Sequence, residues 1–422
     1  MKAIRRFTAL SLALSLPLAA LAQTAAPAPD AAKPLVTVYG TLDVNFQTTR
    51  AYGTPAPVRS RFAVSTDSSN IGVRGGYDAS EYIGAVYQCE TSANVDGISA
   101  SGICNRNSRV GLTGTWGTLF FGNWDTPFKA AIYGTKADDP FNKTDVFGFQ
   151  SLLGSPGFNY RSGAWSTAND STVTGFDVRG NNSVAFHSAS WFGLSSKLQY
   201  GANEFKSANG SQNPELYSAA LNFDYGPLSL VASVELHEDA WALSSMNKTG
   251  ALAFGATAVN TIGTATVRNS EKDTAWKVAA GYQLDSPVGA TTLSGMYEQL
   301  DYRQIHAAGN AIKRYERSAW SVALKHRLGD EELRARYSQA DKGSVTLNGP
   351  GGSTDGYGAS ELILGYSHYF AKSLQGYVSY AKISNARNAQ YTFTIGGSSA
   401  VAGATAKGAD PEALGLGIRY GF

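Results

Sequence analysis

The last eight residues of the chain alternate between apolar side chains and small or charged ones. Successive side chains of a β-strand point to opposite faces, so this end predicts a strand with one apolar face and one polar face. A strand whose apolar face meets lipid and whose other face meets water is typical of a transmembrane β-barrel. The prediction places Leu416, Ile418, Tyr420 and Phe422 toward lipid and Arg419 toward the interior.

The same two-faced pattern recurs upstream. Between residues 227 and 237, Leu228, Leu230 and Val234 alternate with polar residues, and between 332 and 339 Arg334 and Arg336 alternate with apolar ones. An arginine facing lipid at mid-bilayer would cost about 2–4 kcal/mol, so we expect the arginine face to be the inner one. A soluble β-sandwich would show a similar alternation, but one continuous array over residues 36–422 favours a barrel.

Connections of two lengths separate the predicted strands. Short turns with strand on each side fall at 78–81, 116–118, 191–193, 224–227, 285–289, 328–330 and 370–373. Longer polar segments fall at 92–105, 125–180, 241–272, 303–315, 341–358 and 385–410. Aromatic residues crowd the short turns, as in the interfacial girdles of outer-membrane barrels. Counting the runs predicts an all-β, antiparallel transmembrane barrel of about sixteen strands, wide enough for an open channel.

The N-terminus has the three parts of a secretory signal peptide. Lys2, Arg5 and Arg6 precede an apolar stretch that ends at Ala20-Leu21-Ala22, which predicts cleavage after residue 22. Residues 23–35 are rich in Ala and Pro and predict a flexible spacer. The whole chain has 35 basic and 33 acidic residues, so loss of the three leader cations leaves it near neutral. This balance disfavours nucleic-acid binding, and no later run predicts a transmembrane helix.

Cys89 and Cys104 are the two cysteines of the chain, and in an exported protein they predict one disulfide. The five histidines are scattered without ligand spacing, so we expect no metal site and no cofactor. Segment 92–104 resembles a calcium loop but lacks acids at alternate positions. No nucleophile, zinc or nucleotide motif occurs, so we expect no enzyme activity.

The chain resembles the general porins of Gram-negative bacteria, of the β-proteobacterial type, over essentially its whole mature length. The resemblance rests on stretches at 36–43, 69–75, 182–188 and 368–380, on the terminal Tyr420-Gly421-Phe422, and most of all on residues 105–129. It implies a homotrimer in the outer membrane whose long third loop, here segment 125–180, folds into the barrel and narrows the pore. It also implies that Tyr420 and Phe422 serve as a signal for the outer-membrane assembly machinery.

The resemblance further implies a basic wall facing acids of the inward loop. We assign Arg61, Arg74, Arg106 and Arg109 to the wall and Asp138, Asp139 and Asp145 to the loop. Asn70 stands where the family pattern would have an arginine, which weakens the basic wall. Opposed charges across a narrow gap set ion preference, so these residues form the predicted pore constriction.

The functional prediction is a water-filled channel for ions and small hydrophilic solutes, with a weak anion preference. Its surroundings would be outer-membrane lipid and lipopolysaccharide. A solute-specific channel is the first alternative, since a tyrosine-rich wall would permit stacking. A barrel hydrolase is the second, because an active site assembled only in three dimensions leaves no sequence motif.

Overall fold

The computed structural model describes residues 36–53, 58–66, 68–97, 102–141, 151–157, 164–165, 175–202, 213–239, 253–258, 271–304, 309–393 and 406–422. The predicted signal peptide and spacer lie outside them. The described residues form one short helix, α1 (Pro127–Ala130), and the strands β1 (Thr37–Tyr52), β2 (Val58–Thr66), β3 (Asn70–Asp78), β4 (Gly84–Ser92), β5 (Ser108–Gly114), β6 (Gly117–Asp125), β7 (Ala164–Trp165), β8 (Arg179–Ser188), β9 (Leu194–Ala202), β10 (Glu215–Tyr225), β11 (Leu228–Glu238), β12 (Glu271–Ser286), β13 (Gly289–Gln304), β14 (Ile312–Leu328), β15 (Glu331–Ala340), β16 (Ser344–Leu347), β17 (Ala359–Ala371), β18 (Leu374–Asn385) and β19 (Asp410–Gly421).

The strands of the described residues close into one antiparallel barrel. β2 and β3 pair in succession along β1, and β15 and β16 pair in succession along β14, so each couple is one interrupted wall strand. The two-residue β7 pairs in parallel with β8 and belongs to a loop. Sixteen wall strands remain, and β1 pairs with β19 to complete the ring. The predicted barrel of about sixteen strands is confirmed.

The two faces of the wall follow the sequence alternation. In β19, Leu416, Ile418 and Tyr420 are exposed on the outside, while Arg419 on the inner face reaches toward Asp43 of β1. In β15, Leu333 is exposed and Arg336 is buried inside the barrel. An all-round apolar outside with polar groups inside is the arrangement expected of a barrel in lipid.

Short turns and long connections lie at opposite rims. Seven short turns join β3–β4, β5–β6, β8–β9, β10–β11, β12–β13, β14–β15 and β17–β18, as predicted. The chain ends at the same rim, where the backbones of Gly40 and Phe422 exchange hydrogen bonds of 3.0 and 3.1 Å. The other rim carries the long connections, including one between β9 and β10 that the sequence did not indicate, and a connection of five residues between β1 and β2. Exposed aromatic residues mark the short-turn rim: Tyr77, Tyr82, Trp191, Phe192, Tyr225, Tyr282, Phe370 and Phe422.

The third loop, between β6 and β8, folds into the barrel. It begins at Thr126, whose side chain caps α1, and Phe128 and Phe141 within it are fully buried. Its described residues 126–141, 151–157 and 175–178 contact strands from β9 to β17, and we call β10 to β17 the filled wall. The strands β18, β19, β1 and β3 to β6 are called the open wall, and β8 and β9 lie between the two. The predicted inward third loop is confirmed, and a polar chamber lies between this loop and Asp43, Tyr377 and Arg419 of the open wall. No helix among the described residues is long and apolar enough to cross a membrane.

Candidate pore constriction

Buried ion pairs fasten the third loop to the filled wall. Arg336 of β15 pairs with Asp139 of the loop and, at 2.6 Å, with Glu361 of β17. All three side chains are fully enclosed or nearly so. Removing the arginine or its carboxylate partners would leave a buried charge without compensation, which is costly in free energy. The ion pairs therefore fix where the first half of the loop lies.

Two further pairs hold the second half of the loop. Lys277 of β12 donates to Asp177 at 2.9 Å, and Arg317 of β14 pairs with Glu298 of β13 at 3.1 Å. Arg317 also donates to the carbonyl of Leu152 at 2.8 Å, so a wall arginine satisfies loop backbone directly. These contacts make the loop a packed inner layer of the barrel.

One glycine permits the closest approach of loop and wall. A Cβ added to Gly281 on the inner face of β12 would lie 2.0 Å from the backbone carbon of Lys136 and 2.3 Å from the nitrogen of Ala137. Real Cβ atoms do not tolerate such contacts with backbone. The backbone nitrogen of Lys136 donates to Ser229 of β11 at 3.0 Å, which holds the loop at this point.

Three arginines gather on the inner face of the open wall. Arg74 of β3, Gln88 of β4 and Arg109 of β5 stand directly opposite one another across adjacent strands. The neighbouring Glu90 pairs with Arg106 at 2.8 Å and accepts a hydrogen bond of 3.0 Å from Tyr39. The patch thus holds three guanidinium groups and one carboxylate.

Aromatic rings support the guanidinium groups of this patch. The Arg74 guanidinium lies 4.6 Å from the ring centre of Tyr39, and that of Arg109 lies 4.5 Å from Trp124 and 5.0 Å from Phe120. A cation over a ring face is attracted by the ring quadrupole. The rings therefore hold the two cations in place without neutralising their charge.

The patch lies near the short-turn rim, at a level similar to the loop segment that packs on Gly281. Arg74 is four residues before the end of β3, and Arg109 and Gly281 are each five residues before the ends of β5 and β12. The loop segment presents Lys136 and Asp138, both partly exposed, toward the lumen. The patch and this loop segment therefore lie at similar heights on the two walls.

A polar chamber opens beside this loop segment. Its volume is about 480 Å³, and it extends from the loop to Asp43 and Arg419 on the open wall. Four acidic and four basic residues line it: Asp43, Asp138, Asp139, Glu332, Lys136, Lys325, Arg334 and Arg419. Tyr377 donates to Asp43 at 2.7 Å and orders one side of the chamber.

The loop helix carries a further cation. Lys129 pairs with Asp125 at 3.1 Å, and Arg179 pairs with the same carboxylate at 3.1 Å. Burial lowers the pKa of Lys129 below its usual value, and the nearby Asp125 carboxylate opposes that shift. Among the described residues, no group of three or more His, Cys, Asp or Glu side chains could hold a metal ion.

The family model described as Gram-negative porin matches residues 9–388. The chain belongs to the Gram-negative porin family. It is therefore a multi-pass β-barrel of the outer membrane, as the sequence predicted.

Relatives of this porin include the major outer membrane proteins P.IB of Neisseria. The chain is 28% identical over 207 residues to that of Neisseria lactamica, covering 48% of this chain and 54% of that protein. It is 28% identical over 209 residues to that of Neisseria gonorrhoeae, covering 48% and 52%. The matched region thus spans about half the length of these relatives.

Solved structures share the fold over nearly the whole chain. An anion-selective porin from Comamonas acidovorans matches with a TM-score of 0.66 and 20% identity, covering 92% of this chain and 99% of that one. The trimer form of OmpT from Vibrio cholerae matches with a TM-score of 0.57 and 19% identity, covering 93% and 100%. At these identities the likeness shows the shared barrel alone.

The structure groups some predicted constriction residues of this porin and separates others. Arg74, Arg106 and Arg109 share one patch, and Asp138 borders the lumen. Arg61 lies near the start of β2, close to the long-connection rim and on the far side of the β2–β3 break from Arg74. Asp139 borders the chamber but is committed to Arg336 on the filled wall. Asp145 lies outside the described residues.

The remaining predictions concern the disulfide, Asn70 and the C-terminus. The disulfide is confirmed: Cys89 and Cys104 are bonded, with 4.7 Å between their Cα atoms. Asn70 donates to the carbonyl of Ser68 at 3.1 Å beside the break between β2 and β3. Tyr420 and Phe422 stack with 6.0 Å between ring centres and are both exposed at the short-turn rim.

Sequence reasoning missed several lumen residues of this porin. Lys136, Lys325 and Glu332 border the chamber, and Glu90 pairs with Arg106. Alternation within β4 could have identified Glu90, because it shares the inner face with Gln88. Lys136 had no comparable signal, since a loop residue has no fixed face.

Proposed function

We propose that this porin is a passive channel for ions and small hydrophilic solutes with a weak preference for anions. The observation that carries the proposal is the patch of Arg74, Arg106 and Arg109 on the open wall, facing a lumen that the third loop narrows. The similar porin from Comamonas acidovorans is anion-selective, which agrees with this direction. Flux would depend on the pore cross-section, and preference on the charge of the narrowest part.

The net charge of the inward side chains on the open wall supports the anion preference. On the open wall, Arg74, Arg106, Arg109 and Arg419 outnumber Asp43 and Glu90. On the loop, Asp139 is matched by Arg336, so its charge contributes little to the lumen. The local excess is positive although the chain is near neutral overall.

Reversal potentials in planar bilayers under a KCl gradient test this proposal. Arg74→Glu and Arg109→Glu should each move the reversal potential toward that of a cation-preferring pore, with little change in barrel stability. Arg61→Glu is the matched control, because it changes the same charge near the other rim and should shift the potential less. Equal shifts of the reversal potential for all three variants would show that the patch does not form the constriction.

A solute-specific channel is the second candidate, and the chamber of about 480 Å³ favours it. Its paired acids and bases, together with Tyr369 and Tyr377, offer groups for one class of polar solute. A solute with a binding site in the lumen would block ion current saturably. If the current fell linearly with concentration for every small solute tested, the solute-specific channel would be rejected in favour of the general channel.

A homotrimer is the proposed assembly, in keeping with the trimer form of OmpT from Vibrio cholerae. Chemical cross-linking of the purified protein, compared with heat-dissociated protein, tests the subunit number. The proposed transport involves no chemical step, so purified protein should hydrolyse neither lipid nor peptide substrates. Contacts with lipopolysaccharide and with the assembly machinery belong to the same proposal.

A further inference from the structure

The polar chamber beside the third loop contains a row of wall side chains at one height. Gln283 of β12 stands opposite Thr292 of β13, which stands opposite Lys325 of β14. Lys325 in turn stands opposite Arg334 of β15. Each of the four lies three residues from the end of its strand at a short turn, and all four line the chamber. The row is thus two residues nearer the short-turn rim than Gly281, where the loop rests on the wall.

Most charged groups around the chamber are matched by an opposite charge. Arg419 lies 3.6 Å from the carboxylate of Asp43 on the open wall, and Arg334 lies 3.6 Å from that of Glu332 on the filled wall. Asp139 is committed to the filled wall, as described above. The charged groups of the lining that these pairs do not include are those of Lys136, Lys325 and Asp138.

The two lysines place cations on opposite sides of this space. Lys325 is exposed on the inner face of β14, and Lys136 is partly exposed on the loop. Neither ammonium group forms an ion pair or a hydrogen bond with the part of the chain that the structure describes. The backbone nitrogen of Lys136 donates to Ser229 at 3.0 Å, so the segment that carries this lysine is held to the wall. Each ammonium group is a compact cation with three donors, which suits a carboxylate.

Asp138 supplies a partly exposed carboxylate beside Lys136. Its Oδ2 accepts a hydrogen bond of 2.8 Å from the backbone nitrogen of Gly134, which orients the side chain. Ser294 of β13 donates to the Asp138 carbonyl at 3.4 Å and ties this segment to the wall. A carboxylate accepts several hydrogen bonds at once, so Asp138 can receive an ammonium group as well.

We propose that the chamber binds an acidic amino acid, a solute with two carboxylates and one ammonium group. The carboxylates bind Lys136 and Lys325, the ammonium group binds Asp138, and Gln283 and Thr292 supply neutral polar groups between them. The net charge of the solute is opposite to that of the two lysines and one aspartate. The chamber volume of about 480 Å³ is within the range of small-molecule sites. This inference names a solute class for the second candidate function, so it rests on the channel proposed above.

Single-channel recordings in KCl with added L-glutamate test the proposal. Each matched ligand lacks one of the three charges: glutarate has no amine, and L-glutamine has an amide in place of one carboxylate. Glutamate should block the current saturably. Its half-saturating concentration should be at least about fivefold lower than that of either matched ligand, because each of these loses one charged contact.

Substitutions in the chamber should change this block in specific ways. Lys325→Gln and Lys136→Gln should each raise the half-saturating concentration of glutamate about tenfold, whereas Lys325→Arg keeps the charge and should retain the block. Asp138→Asn should abolish the preference for glutamate over glutarate, since an amide oxygen can still accept from Gly134 but has no charge. Lys372→Gln is the matched control, because Lys372 is exposed in a short turn at the same rim, outside the chamber lining.

Two results would overturn the proposal. Equal half-saturating concentrations for glutamate and both matched ligands would show that the three charges do not recognise the solute, and this comparison needs only wild-type protein. The same value for Lys325→Gln as for Lys372→Gln would place the binding outside the chamber. Saturation-transfer NMR of purified protein in detergent measures glutamate binding without ion flow. Protein that conducts ions but gives no glutamate signal contradicts this inference alone, whereas protein that conducts no ions contradicts the proposed function.

Discussion

Arginines lie on the inner faces of both walls of the barrel, but in opposite surroundings. On the filled wall, Arg317 and Arg336 are fully buried and are matched by Glu298, Glu361 and Asp139. On the open wall, Arg74 and Arg109 rest on aromatic rings and keep their charge available to the lumen. We therefore expect an inward arginine of this barrel to act on solutes only where no loop covers it.

The two walls are also held together by different means. The filled wall is stabilised by its contacts with the third loop, whereas Arg74, Arg106 and Arg109 on the open wall contact Tyr39, Glu90, Phe120 and Trp124 of the wall itself. On that side the Cys89–Cys104 disulfide ties β4 to the connection before β5. Substitutions on the filled wall should therefore mainly change stability, and substitutions of the open-wall arginines should mainly change ion selectivity.

The largest effect on stability should follow Arg336→Ala. It leaves Asp139 and Glu361 as buried carboxylates without their partner, which should lower the free energy of unfolding by about 3–5 kcal/mol. Urea unfolding in detergent, followed by tryptophan fluorescence, measures the loss. Arg74→Ala is the matched change on the open wall, and an equal loss there would refute the distinction between the walls.

Removal of the disulfide should have the next largest effect. Cys89 and Cys104 enclose a loop whose closure contributes about 3 kcal/mol by chain-entropy accounting. The double variant Cys89→Ser, Cys104→Ser should be less stable by up to that amount in the same unfolding assay. Ion selectivity should stay as in wild type, because the disulfide lies on the outer side of β4, away from Arg74 and Arg109. A shift in reversal potential would contradict this separation.

Gly281→Ala should have a moderate effect on stability and a clear one on conductance. The added methyl group meets the backbone of Lys136, so the loop must move from the wall, at a cost of about 1–3 kcal/mol. Single-channel recordings should show altered conductance. Gly295→Ala on the outer face of β13 is the control, since its nearest contact is an ordinary 3.4 Å. Identical recordings for the two variants would mean that the loop does not rest on Gly281.

Phe422→Ala should change the folded barrel least. The predicted role of Phe422 is in assembly, so the amount of protein in the outer membrane should fall several-fold while the conductance of inserted molecules stays the same. Phe192→Ala is the control, because Phe192 is an exposed aromatic at the same rim within a turn. If both variants were inserted in equal amounts, Phe422 would have no special role in assembly and would simply end the last strand.

Local pattern was sufficient for the wall of this porin. Alternation identified both faces of β11, β15 and β19, because lipid and water impose it on every strand. The turn residues located all seven short turns, and the cysteine pair was correct. The strand faces and short turns depend on residues that are neighbours in sequence. The disulfide was predicted because the signal peptide indicates an exported protein.

The partners of the third loop could not be predicted in this way. Alternation puts Arg336 on the inner face but does not say that Asp139 will reach it, since that depends on the path of a long loop across the barrel. Arg61 was grouped with Arg74 because both are inward, although distance from the short turn at residue 78 indicates different heights. Counting residues from the nearest short turn would have separated them.

The seam between β1 and β19 has a consequence for the timing of folding. Twelve residue pairs join the two strands, from Thr41 with Gly421 to Tyr52 with Asp410. These contacts span nearly the whole chain, so their loop-closure entropy is the greatest that this sequence can incur. The ring cannot close until the last strand has been synthesised and delivered, and until then β1 presents an unpaired edge. Protection of that edge in transit is therefore a requirement built into the order of the strands.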